Sequence, residues 1–142
     1  MVQAYNFLAS WQLFPEKGSY EKGGRPKSGI YKIEATEGKK ELHIYHNWVS
    51  LENQAFAANY TMLADGDLHP YPETSWADKV QAAIADSITF EIHFYKSGQP
   101  ILHVIHEIMP NGYLRITQQG ELENGQAYTN MEYYHKQMSV LP

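Results

Sequence analysis

The second half of the chain is a succession of short stretches in which apolar and polar residues alternate, broken at close intervals by turn-forming clusters. From Ser87 to Gln137 four such stretches are separated by Lys96-Ser97-Gly98-Gln99, by Pro110-Asn111-Gly112 and by the segment from Gly120 to Gly125. Alternation with a period of two puts successive side chains on opposite faces of a pleated strand. Connections this short, carrying Gly and Asn, join consecutive antiparallel partners. The pattern predicts a meander of hairpins.

The first half continues the theme less regularly. Tyr5 to Phe14 reads as a first strand with an irregular start, stopped by Pro15, and Pro15 to Ser28 as a loop because Gly18, Gly23, Gly24 and Pro26 interrupt it. Strands are predicted at Gly29–Thr36 and Glu41–Val49 about a Glu37-Gly38-Lys39-Lys40 turn, and at Gln54–Leu63 after a turn at Ser50–Asn53. Ala64 to Pro72 reads as loop. From Thr74 the pattern is ambiguous, since Trp76, Val80 and Ile84 recur at helical spacing while Val80, Ala82 and Ile84 alternate. A helical turn at Ser75–Asp78 and a short strand to Ala85 is the expectation.

Face assignments follow from the alternation. Leu42, Ile44, His46 and Trp48 share one face, as do Ile88, Phe90, Ile92 and Phe94, then Leu102, Val104, His106 and Ile108, then Leu114, Ile116 and Gln118. The last strand, Tyr128 to Gln137, carries Met131, Tyr133 and His135 on one side. The total is about nine or ten strands with little helix, an all-β chain.

So many strands in sequential hairpins leave two edges open to pairing with other chains unless the sheet closes. A chain of 142 residues suits one domain with one core, and closure into a single antiparallel up-and-down barrel spanning residues 1–142 removes the edges and encloses a space for one small ligand. An immunoglobulin-like sandwich needs Greek-key crossings, which the short connections after residue 86 do not supply.

Composition narrows the function classes. Apolar residues are 43% of the chain but are dispersed, with no run near the roughly 20 residues of a membrane span. The N-terminus reads as lacking a basic leader, so a cytoplasmic location is expected. With no cysteine, thiolate metal sites and thiol nucleophiles are excluded. A net charge of −5 argues against nucleic-acid binding, although residues 17 to 40 carry seven of the eleven basic residues and are net +4, against −9 elsewhere. Arg25 and Lys27 in the 15–28 loop put positive charge near one barrel mouth.

An early tryptophan strand, Phe7-Leu8-Ala9-Ser10-Trp11-Gln12-Leu13, the hairpin phrases Tyr95-Lys96-Ser97-Gly98-Gln99 and Asn111-Gly112-Tyr113-Leu114-Arg115-Ile116-Thr117, and the closing strand Asn130-Met131-Glu132-Tyr133-Tyr134-His135-Lys136-Gln137 resemble the lipocalin and fatty-acid-binding-protein group, in particular small bacterial lipocalin-like domains. Ala9-Ser10 stands where lipocalins carry a Gly-X pair before the tryptophan. The resemblance implies a ligand-binding barrel in which Lys136 covers Trp11. Family function is diverse, so the likeness alone does not fix a ligand.

His46 and His106 fall on otherwise apolar faces, hence in the lumen, where each imidazole needs a partner. Gln118 shares an apolar face and carries the same requirement. With Tyr31, Trp48, Phe56, Tyr60, Phe90, Phe94 and Tyr133 they compose a wall of apolar surface and few polar handles, the usual make-up of a small-molecule site. No cofactor is expected. His103 and His106, like His43 and His46, are three apart on a strand and so cannot grip one ion together, and Asp65-Gly66-Asp67 lacks the rest of a calcium loop.

The expected function is binding of a small lipophilic or amphipathic molecule. Two other classes stay open: an isomerase or hydrolase using a lumen histidine as acid/base, and a filled barrel whose outer Tyr45, His93, Tyr95 and Ile105 form a homodimer or partner surface.

Overall fold

A computed structural model describes residues 5–35, 41–71 and 75–137. Ten strands follow in chain order: β1 (Ala9–Leu13), β2 (Ser28–Ala35), β3 (Glu41–Val49), β4 (Ala55–Leu63), β5 (Leu68–Pro70), β6 (Lys79–Asp86), β7 (Thr89–Lys96), β8 (Gln99–Ile108), β9 (Leu114–Glu121) and β10 (Ala127–Lys136). The only helical pieces among the described residues are single 3₁₀ turns at Tyr5–Phe7 and Pro15–Lys17. No helix among them is long and apolar enough to cross a membrane.

Every pairing is antiparallel and joins neighbours in sequence, except that β1 pairs with β10. The sheet therefore runs β4-β3-β2-β1-β10-β9-β8-β7-β6-β5 and curls into an up-and-down barrel. The seam lies between β4 and β5. There the β4–β5 connection docks on β6, with the Gly66 amide donating to the Ala82 carbonyl at 2.8 Å and Gln81 Nε2 donating to the Gly66 carbonyl at 2.8 Å. Tyr60 of β4 faces Phe94 of β7 across the gap, ring centroids 6.2 Å apart.

Residues directly opposite in an antiparallel ladder project from the same face, so the register fixes the inner wall. Tyr31 pairs with His46, His46 with Ala58, and Trp48 with Phe56; on the other side Phe90 pairs with His106, His106 with Ile116, and Ile116 with Glu132. At the end where β1 begins, Phe7, Trp11, Ile33, Leu42, Ile44, Met62, Phe90 and Leu114 are buried. Phe7 stands edge-on to Phe90 at 4.7 Å, and Trp11 Nε1 donates to the Phe7 carbonyl at 3.0 Å. That end is plugged. The register sets Lys136 opposite Trp11.

Several expectations shift. The first strand is shorter than Tyr5–Phe14 because Tyr5–Phe7 forms a 3₁₀ turn. The 64–72 stretch, expected as loop, contains β5, whose Pro70 is tolerated because the strand is at the edge of the sheet. Ser75–Asp78 forms bends and no helical turn: the Asp78 amide donates to the Tyr95 carbonyl at 2.9 Å, and the Asp78 carboxylate accepts from the Ser97 amide at 3.0 Å. Ile88 lies in the β6–β7 turn, 49% exposed, and does not join Phe90 in the core. The expected turn at 37–40 lies outside the described residues.

Candidate functional site

At the opposite end the inner wall is not sealed. His46, Trp48, Ala58 and Tyr60 on β3 and β4, and Leu102, Val104, Gln118, Asn130 and Glu132 on β8–β10, all face inward yet keep partial solvent access. Phe56, also inward, is 43% exposed. It stacks on Trp48 at 5.3 Å, and Trp48 in turn lies 4.6 Å from His46. On the seam side Tyr71 and Trp76 pack against Phe94, with centroids at 5.4 and 5.0 Å. The result is a partly exposed aromatic cluster at the end of the barrel where the β3–β4 turn lies.

The segment after Pro15–Lys17 borders this end. Ser19 bridges to Met131, and the amides of Glu21 and Lys22 donate to Asn130 Oδ1 at 2.8 and 3.0 Å. Lys22 lies over the Tyr128 ring at 5.2 Å, and Lys27 Nζ reaches Asn53 Oδ1 in the β3–β4 turn at 2.6 Å. Lys27 thus stands beside the β3–β4 turn, with Lys22 further along the same loop.

Polar groups cross the middle of the barrel. Tyr31 Oη on β2 is 2.9 Å from Nε2 of His106 on β8, and both residues are buried. The imidazole lies flat on Phe90, 3.8 Å between centroids and 7° between planes. Its Nδ1 faces the Phe90 strand without a hydrogen bond of ordinary geometry. Burial disfavours the charged ring and lowers the His106 pKa to about 3. Burial likewise lowers His46 to about 4, and it raises the Tyr31 hydroxyl. Both imidazoles are neutral at pH 7.

A second set surrounds Glu132. Tyr20 Oη donates to Glu132 Oε2 at 2.7 Å and Tyr134 Oη donates to Oε1 at 2.9 Å. Burial raises the Glu132 pKa, opposed by these two hydrogen bonds. Because the Tyr134 hydroxyl gives its one proton to Glu132, the 3.4 Å contact with His46 Nε2 requires the histidine to donate. His46, Tyr134, Glu132 and Tyr20 therefore form a chain of donors that ends on a carboxylate, and the Tyr31 ring stands 5.1 Å from His46 and 5.6 Å from Tyr134. Above an apolar plug, the lumen has a polar floor and aromatic walls.

Of the residues singled out from sequence, Tyr31, His46, Trp48, Phe56, Tyr60, Phe90, Phe94, His106 and Gln118 all project inward. Phe90 and Phe94 are packed in the core, and Gln118 lies 3.4 Å from the Tyr128 hydroxyl. Tyr133 does not join them. It pairs with Arg115 on the outer face and lines an outer groove of about 540 Å³ with Lys17, Met109, Pro110, Asn111 and Tyr113. The face of β10 that looks inward carries Tyr128, Asn130, Glu132 and Tyr134, none of which the sequence pattern marked as lumen residues. The signal available was Gln118, whose ladder partner is Asn130.

No protein-family model matches the chain, and no curated protein matches it significantly.

Proposed function

We propose that the barrel binds a small lipophilic or amphipathic molecule, as lipocalin-like proteins do, entering past the β3–β4 turn and resting on the Tyr31–His46–Glu132–Tyr134 floor. The observation that carries this reading is the contrast between the two ends of one inner wall: sealed around Phe7 and Trp11, solvent-accessible at Trp48, Phe56 and Tyr60. Apolar walls supply affinity, and a few polar groups fix orientation.

The floor also indicates the chemistry of the bound end. Glu132 is a largely buried acceptor held by the hydroxyls of Tyr20 and Tyr134, and a ligand hydrogen-bond donor complements it. Lys22 and Lys27 at the rim suit a polar or anionic tail directed outward. Catalysis by the histidines is the weaker reading, because rings held near pKa 3 and 4 have little tendency to take a proton at neutral pH.

Native mass spectrometry of freshly purified protein, followed by titration with a fluorescent lipophile, tests the proposal. A bound molecule or saturable binding that Trp48→Ala weakens supports it. Saturable binding unaffected by Trp48→Ala, or none at all, overturns it.

A further inference from the structure

The outer face of β7 and β8 carries a cluster with no part in the lumen. Glu91 and His93 are two apart on β7 and so share a face, and His103 on β8 is the direct ladder partner of His93. The His93 and His103 rings stack at 4.0 Å with planes 16° apart, and His103 Nε2 lies 2.6 Å from Glu91 Oε1. One ligand atom from each of the three lies within 4.8 Å of the others. All three side chains are partly exposed, so an ion reaches them without passing through the barrel.

We propose that Glu91, His93 and His103 bind a divalent transition metal, with Zn²⁺ the best match. Two imidazoles and a carboxylate are a donor set suited to zinc, copper or nickel and poorly suited to magnesium or calcium, which take oxygen. Ligand atoms around tetrahedral zinc, with bonds of about 2.0–2.1 Å, stand about 3.3 Å apart. The 2.6 Å His103–Glu91 contact and the 4.8 Å limit on the remaining spacings span that value, so side-chain rotations on a fixed ladder are enough to close the site. The sheet holds both strands in register, which fixes the two backbones before the ion arrives.

The immediate surroundings do not oppose a cation. The ladder neighbours of these residues on the same face, Gln81 on β6, Ile105 on β8 and Gln119 on β9, are uncharged. Arg115, further along that face, is engaged by Glu107 at 2.9 Å. Three protein ligands leave a fourth position for water or an exogenous donor. The pairing of His103 with His106, dismissed from sequence because the two lie on opposite faces, is no part of this set: the second imidazole comes from the neighbouring strand.

Tag-free full-length protein titrated with Zn²⁺ near neutral pH by calorimetry is expected to bind one ion, with Mg²⁺ giving no heat. His93→Ala, His103→Ala and Glu91→Gln should each weaken Zn²⁺ binding by about tenfold or more, since even outer-shell changes cost 10- to 100-fold. His69→Ala, at the separate Asp65–His69 pair, should leave it unchanged. In the wild type, nuclear magnetic resonance of the imidazoles should show Zn²⁺ shifting His93 and His103 selectively, a readout independent of how the variants fold. Absence of binding, or shifts confined to other histidines, overturns the assignment. Trp48→Ala should bind Zn²⁺ normally, so this site stands or falls apart from the lumen.

Discussion

Tyr31 and His106 meet across the interior, hydroxyl to Nε2 at 2.9 Å, although β2 and β8 are separated in the sheet by β1, β10 and β9. The contact fastens opposite walls with one polar bond in a buried setting. A phenylalanine at position 31 keeps the ring and removes that bond, leaving an imidazole nitrogen without a partner. Tyr31→Phe should lower unfolding free energy by about 1–3 kcal/mol, measured by urea denaturation. An unchanged midpoint would show that the bond contributes nothing net.

Acid sensitivity follows from the same histidine. Folded His106 titrates near 3, against an ordinary 6.5. Between those values the unfolded chain takes up a proton that the folded one refuses, so stability is fully present above about pH 6.5 and declines as pH falls toward 3. From pH 7 to 5 the loss from this one group is about 2 kcal/mol by linkage. His46, lowered to about 4, acts in the same sense, whereas Glu132, raised by burial, opposes it. A His106→Phe variant should therefore show a shallower fall in urea midpoint between pH 7 and 5 than the parent; parallel profiles would count against a neutral buried ring.

Tyr20 ties the 15–28 loop to Glu132 at 2.7 Å. Tyr20→Phe should loosen this segment and speed tryptic cleavage after Lys22 and Lys27, with cleavage elsewhere little changed. Equal cleavage rates would mean that the Asn130 contacts hold the segment alone.

Gly120 is packed against Tyr128: a β-carbon there would sit 2.8 Å from Cε2 and 2.9 Å from the hydroxyl. Gly120→Ala must displace a buried ring that also meets Gln118, at a cost of about 1–3 kcal/mol typical of overpacking. Thermal melting of the variant checks this. A neutral result would mean that the ring swings aside freely.

Much of this arrangement is legible in sequence wherever one face of a strand is uniformly apolar. Leu42, Ile44 and Trp48 set the parity that sends His46 inward, and Leu102, Val104 and Ile108 do the same for His106. The last strand has no such face. Tyr128, Tyr133 and Tyr134 put aromatic groups on both sides of it, and a carboxylate in mid-strand reads as solvent-facing. Glu132 turns inward and is largely covered because Tyr20, far away in the chain, and Tyr134 both donate to it, a long-range condition that no local pattern records. Strand β5 escaped notice for a similar reason, since three residues ending in proline show no period and form a strand only by leaning on β6.

The missing ladder between β4 and β5 has a mechanical meaning. Anywhere else around the circumference, widening the ring means breaking a row of main-chain bonds at once. At this join only side chains and a connecting turn bridge the gap, so any widening or breathing of the ring concentrates on a single hinge line.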